Sequence, residues 1–217
     1  MMILVTGGSG SGKSAYAEQL ITEYGDAARY YIATMMVWDD EGRKKVEKHR
    51  KMRARKQFLT VECQRDLQNL DLKKMETRNY FHEERKECDG QPEEKKAVLL
   101  ECMSNLTANE LFSDEGKDAI TSGKLAEKTE DITGDKTAAG ITDKIISGIR
   151  HLKTQADLLV IVTNDIFDDG IRYPEETREY QQLLGDINYR LAAMADKVVE
   201  VVYTIPVIHK DTKEKDQ

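Results

Sequence analysis

Met1-Met2-Ile3-Leu4-Val5-Thr6-Gly7-Gly8-Ser9-Gly10-Ser11-Gly12-Lys13-Ser14 occupies the first fourteen positions, and its reading decides the fold. Ile3, Leu4 and Val5 form a short apolar run of β-formers, the mark of a buried strand. Gly7 to Ser14 fits G-x-x-x-x-G-K-[ST], and Ala15-Tyr16-Ala17-Glu18-Gln19-Leu20-Ile21 continues with helical spacing. Strand, glycine-rich turn and helix in that order are the context a phosphate-binding loop requires. Glycines let successive backbone N–H groups turn inward around a phosphate, and the helix N-terminus adds partial positive charge. The loop Gly7, Gly8, Ser9, Gly10, Ser11, Gly12, Lys13, Ser14 is therefore expected to hold a nucleoside triphosphate. Lys13 would reach the β- and γ-phosphates, and the Ser14 hydroxyl would hold Mg²⁺. A flexible Gly/Ser turn before an ordinary helix is the plain alternative.

The remaining chain repeats strand and helix. Arg29 to Thr34 reads as a second strand, which places Thr34, Met35 and Met36 beside the nucleotide, because ligands of open α/β sheets sit at carboxyl strand ends. Phe58 to Glu62 reads as a third strand. Ala97-Val98-Leu99-Leu100-Glu101-Cys102 is an apolar run closed by a carboxylate, the expected second half of a phosphate-loop site, with Glu101 orienting Mg²⁺ or its water. A short helix over Leu106 to Phe112 follows, on which Asn105 and Asn109 cap or pack. Leu158 to Thr163 has the continuous apolar character of a strand buried on both faces. Pro174 starts a long helix ending near Met194, and Val198 to Tyr203 is the last expected strand. The alternation predicts a doubly wound, mainly parallel α/β sheet of the RecA-like phosphate-loop class. Residues 1–209 form its single domain, and a charged, frayed tail runs from Lys210 to Gln217. Gln64 to Lys96 is expected to make one or two surface helices. Ser113 to Gly140, polar and poor in large apolar residues, is expected to be a mobile insertion.

Composition narrows the function. The 217 residues carry a formal net charge of −7, which argues against a nucleic-acid partner, since phosphate backbones demand basic surfaces. No apolar run approaches membrane-spanning length. Cys63, Cys88 and Cys102 lack metal-ligand spacing, so free thiols in a reducing cytoplasm are expected. One segment contradicts the acidic balance. From about Asp39 to Arg55 a helical pattern puts Val46, His49 and Met52 on one face, with Lys44, Lys45, Lys48, Arg50, Lys51, Arg53, Arg55 and Lys56 around them. A solvated basic surface with a boundary histidine explains the segment by itself. Beside a phosphate loop, the same cations could clamp phosphates, and a neutral imidazole there could attack phosphorus.

Together these stretches resemble the bifunctional adenosylcobinamide kinase/adenosylcobinamide-phosphate guanylyltransferase family of cobalamin biosynthesis. The matching segments are Ile3 to Gly8 with Ser11 to Ser14, Tyr31 to Thr34, Asp39-Asp40-Glu41, His49-Arg50 with Arg53, Thr60 to Cys63, Leu99 to Cys102, Val162-Thr163-Asn164, and Asn188 with Arg190 to Ala193 and Ala195-Asp196. The chain departs from the family pattern at Gly10, where an Arg is usual, at Ala54 for Pro, at Phe58 for Trp, and after Asn164. The resemblance implies two reactions at one nucleotide site. ATP or GTP phosphorylates adenosylcobinamide; then His49 takes GMP from GTP and passes it to the cobinamide phosphate. It implies nucleotide contacts at Gly7 to Ser14, Thr34, Met35, Met36, Arg50, Lys51, Met52, Arg53, Glu62 and Glu101, catalytic roles for His49 and Lys13, and a homotrimer. Two other readings stay open on the residues alone: a kinase of another small hydroxylated metabolite, or a nucleotide-gated regulatory protein.

Overall fold

The computed structural model describes residues 1–36, 56–78, 94–113, 138–166, 170–171 and 173–213. The expected basic helix, Cys88 and most of the expected insertion lie outside them. In chain order the elements are β1 (Met2–Thr6), α1 (Lys13–Thr22), β2 (Ala28–Ala33), β3 (Phe58–Glu62), a 3₁₀ turn at Leu67–Asn69, α2 (Leu72–Arg78), β4 (Lys96–Glu101), α3 (Met103–Leu111), α4 (Ala138–Thr154), β5 (Leu158–Val162), α5 (Glu175–Met194), β6 (Lys197–Val202) and β7 (Ile205–Asp211). The seven strands make one sheet in the order β3-β2-β4-β5-β1-β6-β7. All neighbours are parallel except β6 and β7. This is the doubly wound architecture expected, with β5 standing between the phosphate-loop strand and the strand that delivers Glu101.

Period-two alternation explains why the central strands are apolar on both sides. Met2 and Leu4 of β1, Val98 and Leu100 of β4, and Leu159 and Ile161 of β5 enter the core beneath α3, α4 and α5. Ile3, Val5, Leu99, Val160 and Val162 point the other way, against Ala17 and Ile21 of α1. A strand covered on both faces has no solvent side to mark with polar residues. β2 splits its aromatics accordingly: Tyr30 joins the first core and Tyr31 the second.

Two expectations are corrected. The segment after β3 is not merely surface helix: Leu67, Leu70 and Leu72 are buried in the core. α4 comes so close to the 3₁₀ turn that a Cβ on Gly148 would lie 2.9 Å from Leu67 Cβ. The turn is tied down by charge. Lys144 Nζ donates to Glu110 Oε2 and to Asp66 Oδ1, both at 2.7 Å, while Glu110 Oε1 accepts from the Asp66 backbone N–H at 2.7 Å. The second correction concerns the tail. Lys210 and Asp211 belong to β7, and Lys210 Nζ caps the end of α5 by donating to the carbonyls of Ala192 and Ala193 at 3.0 Å. The β6–β7 hairpin was hidden because its turn residues, Tyr203 and Thr204, hold φ of 49° and 68° without being Gly or Asn. α3 also begins earlier than expected, at Met103, immediately after β4.

Glu110 is only 5% exposed, and Lys144 is paired with it there. Lys144→Ala should destabilise the fold by about 3 kcal/mol, as removal of one partner of a buried pair does. The hydrogen bond from Lys144 lowers the Asp66 pKa below the ordinary aspartate value. A depressed folded-state pKa gives stability that is complete above the unfolded value and fades as pH falls through the folded one. Urea melts at pH 7 and pH 3 should show the gap between wild type and Lys144→Ala narrowing at the lower pH.

Candidate nucleotide site

The loop between β1 and α1 takes its shape from backbone conformations open mainly to glycine. Gly7, Gly10 and Gly12 have φ of 149°, 71° and 93°. Gly7 is the tightest point: a Cβ there would sit 2.5 Å from the carbonyl oxygen of Val201 and 2.7 Å from Ser11 Oγ. Neighbouring strands fix the loop's outer side. Asp165 N–H donates to the Gly7 carbonyl at 3.1 Å, and Thr204 N–H, from the hairpin turn, donates to the Ser11 carbonyl at 2.8 Å. These contacts occupy carbonyls on the loop's outer side, and within the loop the Ser11 N–H donates to the Gly8 carbonyl at 3.2 Å.

Lys13 and Ser14 open α1. Lys13 is 8% exposed, and its ammonium donates to the Gly8 carbonyl at 2.9 Å, folded back over the loop. Burial pulls its pKa down, and the Glu101 carboxylate pulls it the other way. Ser14 Oγ is hydrogen-bonded to Glu101 Oε1, and the Tyr31 hydroxyl donates to Glu101 Oε2 at 3.0 Å. The first turn of α1 thus meets the last residue of β4 above the sheet. A serine hydroxyl and a carboxylate are hard oxygen donors, which suits magnesium, an ion that takes most of its shell from water and phosphate.

Thr34 lies where expected, at the carboxyl end of β2, but its side chain is fully committed inward. Its hydroxyl donates to the Cys102 carbonyl at 2.8 Å and accepts from the Cys102 N–H at 2.7 Å. Asn109 reaches across from α3 and donates to the carbonyls of Thr34 at 2.7 Å and Gln64 at 2.9 Å, tying the ends of β2 and β3 together. Met35 is 40% exposed at the same rim. Glu62 and Glu101 sit level on either side of Ala33 in the sheet register, so two strand spacings, roughly 10 Å, separate them. Glu62 is exposed there. His49, Arg50, Lys51, Met52 and Arg53 lie outside the described residues. The structure therefore joins Gly7 to Ser14 with Glu101, and sets Thr34 to Met36 and Glu62 along the adjoining rim.

Some participants escaped sequence reasoning. Thr204 carries no motif, and Tyr31, although it opens the Tyr31 to Thr34 segment of the resemblance, has no role of its own there; only sheet register and the hairpin reveal what they touch. Asn188, one of the residues carrying the family resemblance, accepts from the Thr163 hydroxyl at 2.8 Å, and Asp196 accepts from the Met2 N–H at 2.6 Å. Both anchor strands. Cys63 and Cys102 are buried free thiols. Burial pushes Cys63 up to about 11 and also raises Cys102, so neither is a thiolate nucleophile at neutral pH.

A parallel sheet, a phosphate loop and an acid from a neighbouring strand define a nucleotide-binding phosphate-loop protein. The chain belongs to the cobinamide kinase / cobinamide phosphate guanyltransferase family, which it matches over residues 3–208. It is 33% identical over 208 residues to the bifunctional adenosylcobalamin biosynthesis protein CobU of Salmonella typhimurium and 34% identical to that of Escherichia coli, covering 95% of this chain and 98% of each relative. Solved structures to which the chain shows similarity include the flagellar accessory protein FlaH from Methanocaldococcus jannaschii, at 14% identity and a TM-score of 0.40 over 97% of this chain and 78% of that one. A prototypical type III secretion ATPase matches at 9% identity and a TM-score of 0.49, over 92% and 51%.

Gly7→Ala tests the loop. Its new Cβ meets backbone that cannot swing aside, at a φ side chains rarely adopt. A cost of about 2 kcal/mol is expected, which lowers Tm by roughly 4–8 °C in a calorimetric scan.

Proposed function

We propose that this chain phosphorylates adenosylcobinamide with ATP or GTP and then transfers GMP from GTP to the resulting phosphate, yielding adenosylcobinamide-GDP. The observation that carries the reading is the convergence of Lys13, Ser14 and Glu101 on one glycine cradle, within a chain that aligns with its bifunctional relatives along almost its whole length. Ser14 and Glu101 fit Mg²⁺ and would hold it, and the ion would supply charge to offset that of the phosphates.

In the kinase step the substrate hydroxyl oxygen forms a bond to the γ-phosphorus and gives up its proton to water, and the bond from that phosphorus to the β–γ bridging oxygen breaks, releasing the nucleoside diphosphate. Lys13 leaves the Gly8 carbonyl to meet the charge that develops on the phosphates. In the transfer step a ring nitrogen of His49 attacks the α-phosphorus of GTP, and the bond to pyrophosphate breaks. A phosphate oxygen of the corrinoid then displaces the imidazole, breaking the P–N bond. Splitting one transfer into two displacements is what a nucleophilic side chain contributes. Arg50, Lys51 and Arg53 would hold the triphosphate for that attack and keep the imidazole unprotonated. Met52, Thr34, Met35, Met36 and Glu62 would complete the nucleotide contacts. No helix among the described residues is long and apolar enough to cross a membrane. We read the enzyme as a cytoplasmic homotrimer, on the strength of the family resemblance.

α-Labelled GTP tests the assignment. The wild type should acquire an acid-labile, base-stable label that His49→Ala lacks; phosphate transfer without any label would make the protein a kinase alone. Lys13→Ala should abolish triphosphate binding, and an unchanged affinity would remove the loop from the mechanism.

A further inference from the structure

Tyr31 is buried in the middle of β2, with its ring on the α1 side of the sheet. In register it stands opposite Leu99 of β4, whereas Glu101 stands opposite Ala33. Side chains two residues apart on a strand share a face, and an aromatic ring can reach the diagonal neighbour on the next strand. Tyr31 makes that reach: its hydroxyl meets Glu101 Oε2 at 3.0 Å while Oε1 is held by Ser14. The ring is fixed from the other side by Phe58, whose centroid lies 6.2 Å away at an interplanar angle of 86°, an edge-to-face pair. Phe58 lies on β3 opposite Arg29, so it is the diagonal neighbour of Tyr31 in turn. A line of contacts thus runs across three strands, from Phe58 through Tyr31 to Glu101, and ends on the first turn of α1.

We propose that Tyr31 is a positioning residue for the magnesium-binding carboxylate, acting by holding the second oxygen of Glu101 so that the first stays aligned with Ser14. A carboxylate on a strand's last residue has free side-chain torsions, and each added partner removes orientations that turn it away. Partners of metal-ligating carboxylates commonly affect metal affinity by tenfold or more. Tyr31 would act through Glu101 without touching nucleotide. The inference rests on the proposed nucleotide chemistry at this same site.

Tyr31→Phe keeps the ring against Phe58 and removes only the hydroxyl. Binding of a non-hydrolysable GTP analogue would be measured by calorimetry on the full chain, once in Mg²⁺ and once in EDTA. The variant should bind about tenfold more weakly in Mg²⁺ and equally well in EDTA, with Mn²⁺ affinity, read by electron paramagnetic resonance in the presence of the analogue, falling in parallel. In a Glu101→Gln background the same change should have little further effect. A variant that keeps the wild-type magnesium dependence overturns the inference, as does an equal loss in both media or a full tenfold loss in the Glu101→Gln background. Wild-type protein that ignores the analogue in both media overturns the nucleotide reading itself, and the inference with it.

Discussion

A hydroxyl from the first turn of α1 and a carboxylate from the end of β4 meet above the sheet, and much of the described structure holds them in place. Neither position is local. Ser14 is placed by a loop whose glycines press against β6, and Glu101 by a strand two places away from β1 in the sheet. The two can meet only because α1 crosses over β5 toward β4, packing on the apolar residues those strands turn to it. Hydrophobic burial sets the helix at its angle, and the polar contact then becomes geometrically available.

The opposite face of the sheet does different work. α3, α4 and α5 bury a larger apolar cluster there. Polar ties from that side reach the strand ends. Asn109 joins β2 to β3, and the Tyr180 hydroxyl donates to the Ser104 carbonyl at 3.1 Å while Ser104 Oγ accepts from Asn164 N–H at 3.2 Å. The rim is thus held from below by amides and hydroxyls that do not themselves face the cradle. Burial pushes Tyr180 up to about 12, so it serves as a neutral donor across the physiological range.

Much of this was legible in the sequence for a physical reason. A phosphate loop needs glycines, a lysine and a hydroxyl at fixed spacing, and doubly buried strands such as Leu158–Val162 announce themselves by lacking polar residues. Glu101 could be singled out because an acid closing an apolar run is unusual in itself. What stayed illegible depends on contacts between distant segments. Leu67, Leu70 and Leu72 sit in a stretch whose neighbours are charged, so their burial follows from α4 and not from local pattern. Tyr203 and Thr204 adopt a left-handed turn that composition does not signal, and β7 vanished with it. Tyr31 looks like any strand aromatic until the register with Glu101 is known. For His49, the basic segment supplied the chemistry and the family resemblance supplied the role.

The hairpin contact from Thr204 to Ser11 has a consequence for how the protein comes into being. β1 precedes, in the order of synthesis, both of its sheet neighbours, β5 and β6, and the turn that braces its loop. A ribosome that has delivered the phosphate loop must still deliver the chain as far as Thr204 before that loop gains this brace. Nascent chains interrupted ahead of the β6–β7 turn would carry the full glycine motif without its bracing, and competence for nucleotide would await that turn.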